Sequence, residues 1–299
     1  MPHLTRRGFS LVELMIALVL LGIVSTAVYK VLVNHQRVYQ AQTQRIDLQQ
    51  NIRAGATILP SEFRVLNASD GDILAMSTDS IRIRAMRLFA VACDTPILTL
   101  NGPLTGKTVI LRNSMTFGSR MLTVNDSLFL YYEGQPGNRG DDGWLRGRVT
   151  AVPVPANCKG PEPLAQAQAG TLLTFDLAAF VAPQQNKPGV ISMGAPVWGY
   201  EIDTYKVYQS TDGMWYIGQR IGAAGTIQPL VGPLIGANGM TLSYYDAAGV
   251  VTAVPASVAQ IEVTVRGLTA QPVRGADGIQ ARQVDSVITR VSLRNNKRW

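Results

Sequence analysis

The sequence has few of the residues that catalytic and metal-binding sites most often use. Of its 299 residues only two are histidines, His3 and His35, and both lie in or beside the N-terminal segment. A histidine-based triad or a histidine-ligated metal in the rest of the chain is therefore excluded. No other nucleophile and base pair or set of metal ligands stands out, so we expect a protein that is not an enzyme and that has no cofactor and no metal site.

Cysteine is equally scarce. Cys93 and Cys158 are the only two, far apart and without the CxxC spacing of zinc and redox sites. A single structural disulfide between them is the prediction if this part of the protein lies outside the cytoplasm. Two unpaired buried thiols are the alternative.

Proline is absent from Phe9 to Leu59, and no charge falls between Glu13 and Lys30. Residues 9–33 would form a helix about 37 Å long, enough to cross a bilayer. No small-residue cleavage site follows this run, and helix-forming residues continue through residues 34–66, which argues against a removed secretory signal. The sequence therefore predicts one long helix, with a transmembrane first half and an amphipathic continuation.

Apolar residues recur every three or four positions in that continuation, which is the pattern of one buried helix face. We expect Pro60 to end or bend the helix near Leu59, with a further turn or two to about residue 66. The predicted face consists of Leu48, Ile52, Gly55 or Ala56, Leu59, Phe63 and Leu66.

Residues 67–299 change to short β-type runs separated by Gly, Pro, Asn and Asp. Alternation of apolar and polar residues predicts antiparallel sheet with one buried face. "STDGMW" and "YDAAGVV" read as hairpin turns, whereas "GQPGNRGDDGW" and "VPVPANCKGPEPLAQAQAG" read as surface loops. The predicted fold class is thus α+β, a long N-terminal helix on a large antiparallel β-sheet domain. The predicted strands are "SIRIRAM", "TVILR", "SLFLYYE", "TLLTFDL", "TYKVYQS", "MWYIGQR", "MTLSYYD", "QIEVTVRGL" and "SVITRVSLR".

The N-terminal stretch "RRGFSLVELMIALVLLGIV" resembles the class III signal of type IV pilins and their relatives. The resemblance implies that residues 1–8 are a leader, which prepilin peptidase removes by cutting between Gly8 and Phe9, and that Phe9 is then N-methylated. Arg6 and Arg7 would keep the leader cytoplasmic and place the C-terminal domain outside the inner membrane. In this family, the residue that corresponds to Glu13 meets the N-terminal amine of a neighbouring subunit during assembly.

The C-terminal segments "QPLVGPLIGANGMTLSYYDAAGVV", "VAQIEVTVRGLTA" and "DSVITRVSLRN" are similar in order and spacing to those of PilW-type minor pilins, relatives of the J-type pseudopilins. This resemblance implies a minor pilin that joins other minor and major pilins to prime a type IV pilus, with roles in twitching, adhesion or DNA uptake. A type II secretion pseudopilin is the alternative, and a pilus-tip adhesin or DNA-binding subunit is another.

Other motifs have simpler interpretations. "GPLTGKT" has one residue too few between its glycines for a phosphate-binding loop, so it reads as a turn. The tripeptide at residues 139–141 and the neighbouring Asp142 read as parts of a solvated loop. The net charge of +7, with "RIRAMR" and "RNNKRW", leaves DNA contact open as a less favoured partner. The aromatic residues Trp198, Tyr200, Trp215 and Tyr216 are predicted to lie in the core, with a sugar-binding face as the alternative.

Overall fold

The computed structural model describes residues 10–94, 105–132, 142–158, 168–177, 191, 193–222, 225–274 and 279–294. In this part of the chain, one helix, α1 (Leu11–Arg64), precedes sixteen strands. The strands are β1 (Ile73–Met76), β2 (Ser80–Asp94), β3 (Lys107–Arg112), β4 (Phe117–Gly118), β5 (Ser127–Tyr132), β6 (Gly143–Val149), β7 (Val154–Cys158), β8 (Gln168–Leu177), β9 (Pro196–Gln209), β10 (Trp215–Ile221), β11 (Gln228–Leu234), β12 (Met240–Tyr245), β13 (Gln260–Leu268), β14 (Val273–Arg274), β15 (Gln280–Ala281) and β16 (Val284–Ser292).

The predicted fold class is confirmed: one long helix is followed by a large antiparallel sheet. All nine predicted strands are present, and "STDGMW" and "YDAAGVV" are tight turns. In the first turn the Gly213 N–H donates to the Ser210 carbonyl oxygen, and in the second the Gly249 N–H donates to that of Asp246. Both glycines have positive φ, the backbone conformation that such turns require.

Helix α1 continues through Pro60 and ends at Arg64. Proline removes one intrahelical hydrogen bond, but Leu59 and Phe63 on either side are completely buried, and their burial offsets that loss. Beyond the helix, the Arg294 N–H donates to the Arg64 carbonyl oxygen at 3.1 Å. The last turn of the helix is therefore held by the sheet.

The buried face of α1 lies on β11, β13 and β16. The apolar pattern of the sequence did not decide whether Gly55 or Ala56 belongs to this buried face. In the structure Gly55 is buried, whereas Ala56 is only half-buried. A Cβ atom at Gly55 would lie 3.3 Å from methyl groups of both Val231 and Val265. The glycine thus permits a close approach of helix and sheet. The core around it contains all the predicted face residues: Leu48, Ile52, Leu59, Phe63 and Leu66.

A second core lies beyond the end of the helix. Six strands pair in a closed circuit, in the order β2, β3, β8, β6, β5 and β9, with β9 returning to β2. Leu111, Leu128 and Phe175 are among the buried side chains inside this ring. The long strands β2 and β9 serve both cores, because Ile81 and Ile83 face the helix while Leu88 and Ala90 face the ring interior.

Two predictions about the domain are wrong. The segment 152–170 is not a loop throughout, since it contains β7 and the start of β8. Among the described strands β7 pairs only with β8, and such an edge position tolerates Pro155, which lacks an N–H. Three of the four aromatic residues predicted for the core, Trp198, Tyr200 and Tyr216, are half-buried on the sheet face opposite the helix, whereas Trp215 packs against the helix-side core.

Candidate assembly site

The start of helix α1 is closed by a reciprocal pair of hydrogen bonds. The Glu13 N–H donates to Ser10 Oγ at 3.2 Å, and the Ser10 N–H donates to Glu13 Oε2 at 3.0 Å. This arrangement satisfies two of the backbone donors that a helix leaves unpaired at its N-terminus. The Glu13 carboxylate is thereby held at the helix start, next to the predicted cleavage site.

Gly8 and Phe9, with Arg6 and Arg7, lie outside the described residues. Their predicted roles in cleavage and N-methylation therefore stay predictions. Ser10 was not among the predicted site residues, although the sequence carries the signal: "SLVE" has serine at the cap position and glutamate three residues later. The structure thus adds Ser10 as the residue that orients Glu13.

Beyond this cap, the apolar part of α1 has no partner within the described chain. Leu11, Leu14, Leu18 and Leu21 are all more than half exposed, and α1 has no buried residue before Leu48. The helix is long and apolar enough to cross a membrane. Such a continuous exposed apolar surface indicates burial in a lipid bilayer or against other molecules.

The first hydrogen bonds between the domain and the helix are made by polar side chains. The Gln271 N–H donates to Gln44 Oε1 at 3.0 Å, and Arg45 Nε donates to Gln283 Oε1 at 2.7 Å. Taking 1.5 Å per residue, roughly 50 Å of helix precedes these contacts. The apolar segment therefore extends well clear of the domain.

At the other end of α1, Glu62 joins an ion network at the junction of the two cores. Arg87 lies at a bulge in β2 and pairs with Glu62 at 3.0 Å and with Asp203 at 2.5 Å. Gln219 Nε2 also donates to Asp203 at 3.0 Å. Burial raises the pKa of the Asp203 carboxyl, although Arg87 acts in the opposite direction. The network links the last turns of the helix to β2 and β9.

Cys93 at the end of β2 and Cys158 at the end of β7 form a disulfide, with their Cα atoms 5.3 Å apart. These strands do not pair with each other, because β8 and β3 lie between them in the sheet order. The bond therefore fastens the edge strand β7 to the ring. Within the described residues, no cysteine is free.

The other motifs noted in the sequence lie in different parts of the chain, and the described ones do not come together in one site. In "GPLTGKT" the described residues lead into strand β3, and the Gly106 N–H donates to Asp176 Oδ1 at 2.8 Å. The tripeptide at 139–141 and the tail at 295–299 lie outside the described residues. Asp142 accepts a hydrogen bond from the Tyr131 hydroxyl. Of the arginines in "RIRAMR", Arg84 pairs with buried Asp72 and Arg87 belongs to the network, which leaves only Arg82 exposed.

Comparison with known families identifies one match. The model of the prokaryotic N-terminal methylation motif matches residues 4–29. Together with the long apolar helix, this motif supports a type IV pilin-like protein, a pilin or a pseudopilin, that is anchored in a membrane and processed by a prepilin peptidase. No curated protein and no solved structure matches the chain.

Proposed function

We propose that the protein is a minor pilin of the PilW type, which helps to prime assembly of a type IV pilus. The observation that carries the proposal is the exposed apolar half of α1, with the Ser10–Glu13 capping box at its start and a folded domain after it. A helix of this kind has two successive environments in the proposal. It first spans the inner membrane and later packs among the helices of other pilins in the filament core.

Glu13 has the central role in the change between these environments. A carboxylate inside hydrocarbon costs several kcal/mol and requires a partner. Cleavage after Gly8 would create that partner, because Phe9 would then carry a positively charged amine. In the proposal, the amine of a neighbouring subunit pairs with Glu13 and brings the helices into register. This step needs no catalytic group in the chain, and the proposal assigns it no enzymatic activity.

The proposed topology has a single membrane span, with the domain outside the cytoplasm. Two features support it. The arginines of the leader precede the span, as the positive-inside rule requires. The Cys93–Cys158 disulfide belongs to the domain and is of the kind that persists in oxidising compartments. After assembly, the domain would lie on the surface of the pilus.

Mass spectrometry of the mature protein tests the foundation of the proposal. The expected N-terminus is an N-methylated Phe9, and a control strain without prepilin peptidase should retain Met1. Retention of Met1 in the presence of the peptidase, or cleavage elsewhere, would contradict the proposal.

Deletion of the gene separates the pilus role from the alternative, a type II secretion pseudopilin. We expect loss of surface pili and of twitching motility, with protein secretion intact. Restoration by the unchanged gene serves as the control. The opposite pattern, normal pili with impaired secretion, would assign the protein to the secretion filament.

A further inference from the structure

The face of the sheet opposite α1 carries a row of polar and aromatic side chains that the assembly function does not use. Along β9, Asp203 and Tyr205 point to the helix side, where Tyr205 contacts Phe63. Side chains alternate along a strand, so Thr204, Lys206 and Tyr208 lie on the opposite face. This outer face, formed by β2, β9 and β10, is turned away from helix α1.

The centre of the outer face has the composition of an anion site. Thr204 lies directly opposite Arg82 of β2 on one side and Arg220 of β10 on the other. Lys206 follows two residues later on the same face. Three cationic residues thus occupy positions next to Thr204 on this face.

Two buried polar atoms at this centre have no hydrogen-bond partner in the structure. Thr204 is only 8% exposed, and its Oγ1 is unpaired, as is Nε of Arg220. A buried polar group without a partner is costly, so such atoms point to a missing ligand. None of the ion pairs within the described residues uses Arg82, Lys206 or Arg220. A phosphate group would supply acceptor oxygens to the hydroxyl and to the guanidinium groups.

Two aromatic rings lie on the same face farther along the strands. Tyr208 and Tyr216 are direct partners, with ring centroids 6.2 Å apart. Each ring lies over a glycine of the next strand: a Cβ atom at Gly218 would be 2.6 Å from Tyr208 Cε1, and one at Gly232 would overlap Tyr216. The Tyr216 hydroxyl is fixed by donation to Asp212 at 2.7 Å. Half-buried rings held in this way present flat platforms for other planar groups.

We propose that this face binds single-stranded nucleic acid, with phosphates at Arg82, Thr204, Lys206 and Arg220 and with bases stacked on Tyr208 and Tyr216. A cationic groove beside aromatic rings is the combination that single strands require. The rows of Thr204 and Tyr208 are about 13 Å apart along β9, so one short oligonucleotide reaches both. A duplex would offer phosphates but no exposed base faces. The inference does not depend on the proposed pilus function.

The test uses the full-length mature chain in nonionic detergent and a fluorescent oligothymidylate of about 16 nucleotides. Fluorescence anisotropy gives the affinity between about 50 and 200 mM salt. Replacement of Arg82, Lys206 and Arg220 by glutamine should weaken binding at least about tenfold. It should also lower the salt slope by about 2, since each neutralised phosphate contributes about 0.7. A control that replaces Arg53, Arg64 and Arg148, which lie elsewhere, removes the same charge and should keep most of the affinity.

Two further variants address the other parts of the site. Tyr208→Leu with Tyr216→Leu keeps apolar contact with the glycines but should weaken binding about tenfold through lost stacking. Thr204→Val is close in shape and should weaken binding a few-fold, at unchanged thermal stability. Equal losses in the two charge variants, equal affinity for a duplex of the same length, or equal competition by dextran sulfate would each overturn the proposal.

Discussion

The two halves of helix α1 have the same backbone conformation but different environments. The N-terminal half, residues 11–43, has no buried residue and no hydrogen bond to the domain among the described residues. The C-terminal half, residues 44–64, begins with the contacts of Gln44 and Arg45 and buries its apolar face against the sheet. The unbroken helical conformation therefore does not by itself show what stabilises each half.

This difference divides the helix by function. The C-terminal half belongs to the folded domain, because its side chains complete the core. The N-terminal half depends on a membrane or on other subunits to cover its apolar surface. Matched substitutions in the two halves should therefore separate folding from assembly.

The largest effect on folding is expected from Leu59→Ala. Leu59 is completely buried, so truncation leaves a cavity and should lower the free energy of unfolding by about 2–5 kcal/mol. Leu20→Ala is the matched control, because Leu20 is 56% exposed and should change the unfolding free energy by less than about 0.5 kcal/mol. Denaturant titration of the full chain in detergent, followed by the tryptophan fluorescence of the domain, measures both. Similar losses in the two variants would show that the halves are not independent.

A smaller difference is expected between two glycines of the same helix. Gly55→Val would press methyl groups into Val231 and Val265, at a cost of about 1–3 kcal/mol in unfolding free energy. At Gly22, a Cβ atom would meet nothing within 4 Å, so Gly22→Val should leave the domain unchanged. The same titration compares them. A stability for Gly55→Val equal to that of the unchanged chain would mean that the helix is not held closely to the sheet.

The sequence indicated a change along the helix, from an uncharged apolar run to a periodic apolar stripe, but it placed the change at residue 33, whereas the first hydrogen bonds to the domain are at Gln44 and Arg45. The uncharged run and the stripe from Leu48 to Leu66 depend only on residue order. The strands rich in β-branched residues were equally visible. The sequence pattern did not identify β7, because Pro155 is a residue typical of loops and the strand forms only by pairing with β8. It also did not decide between Gly55 and Ala56, because that choice depends on how closely the helix approaches Val231 and Val265. The cluster of Arg82, Thr204 and Arg220 joins three strands, so no local spacing reveals it.

Within the N-terminal half, the cap and the charge of Glu13 can be separated. Glu13→Gln keeps a side-chain acceptor for the Ser10 N–H but removes the charge, whereas Ser10→Ala keeps the charge and loses the Oγ acceptor. The loss of the cap should cost about 1 kcal/mol of local helix stability. We expect Glu13→Gln to be inserted and cleaved but poorly incorporated into pili, and Ser10→Ala to be incorporated. Immunoblots of sheared pili and of membranes measure this. Normal incorporation of Glu13→Gln would show that assembly does not need the negative charge of Glu13, and would contradict the proposed mechanism.

The smallest effect is expected where the C-terminal half meets the second core. Glu62→Gln removes one partner of Arg87, but Asp203 and Glu201 still surround the guanidinium group. Because both side chains of the Glu62–Arg87 pair are only partly buried, the loss in unfolding free energy should be about 0.5–1 kcal/mol. Asp47→Asn is the control, since Asp47 is exposed on the same helix and should change nothing measurable. A loss for Glu62→Gln as large as that for Leu59→Ala would mean that the ion network, rather than the apolar face, fastens the helix to the domain.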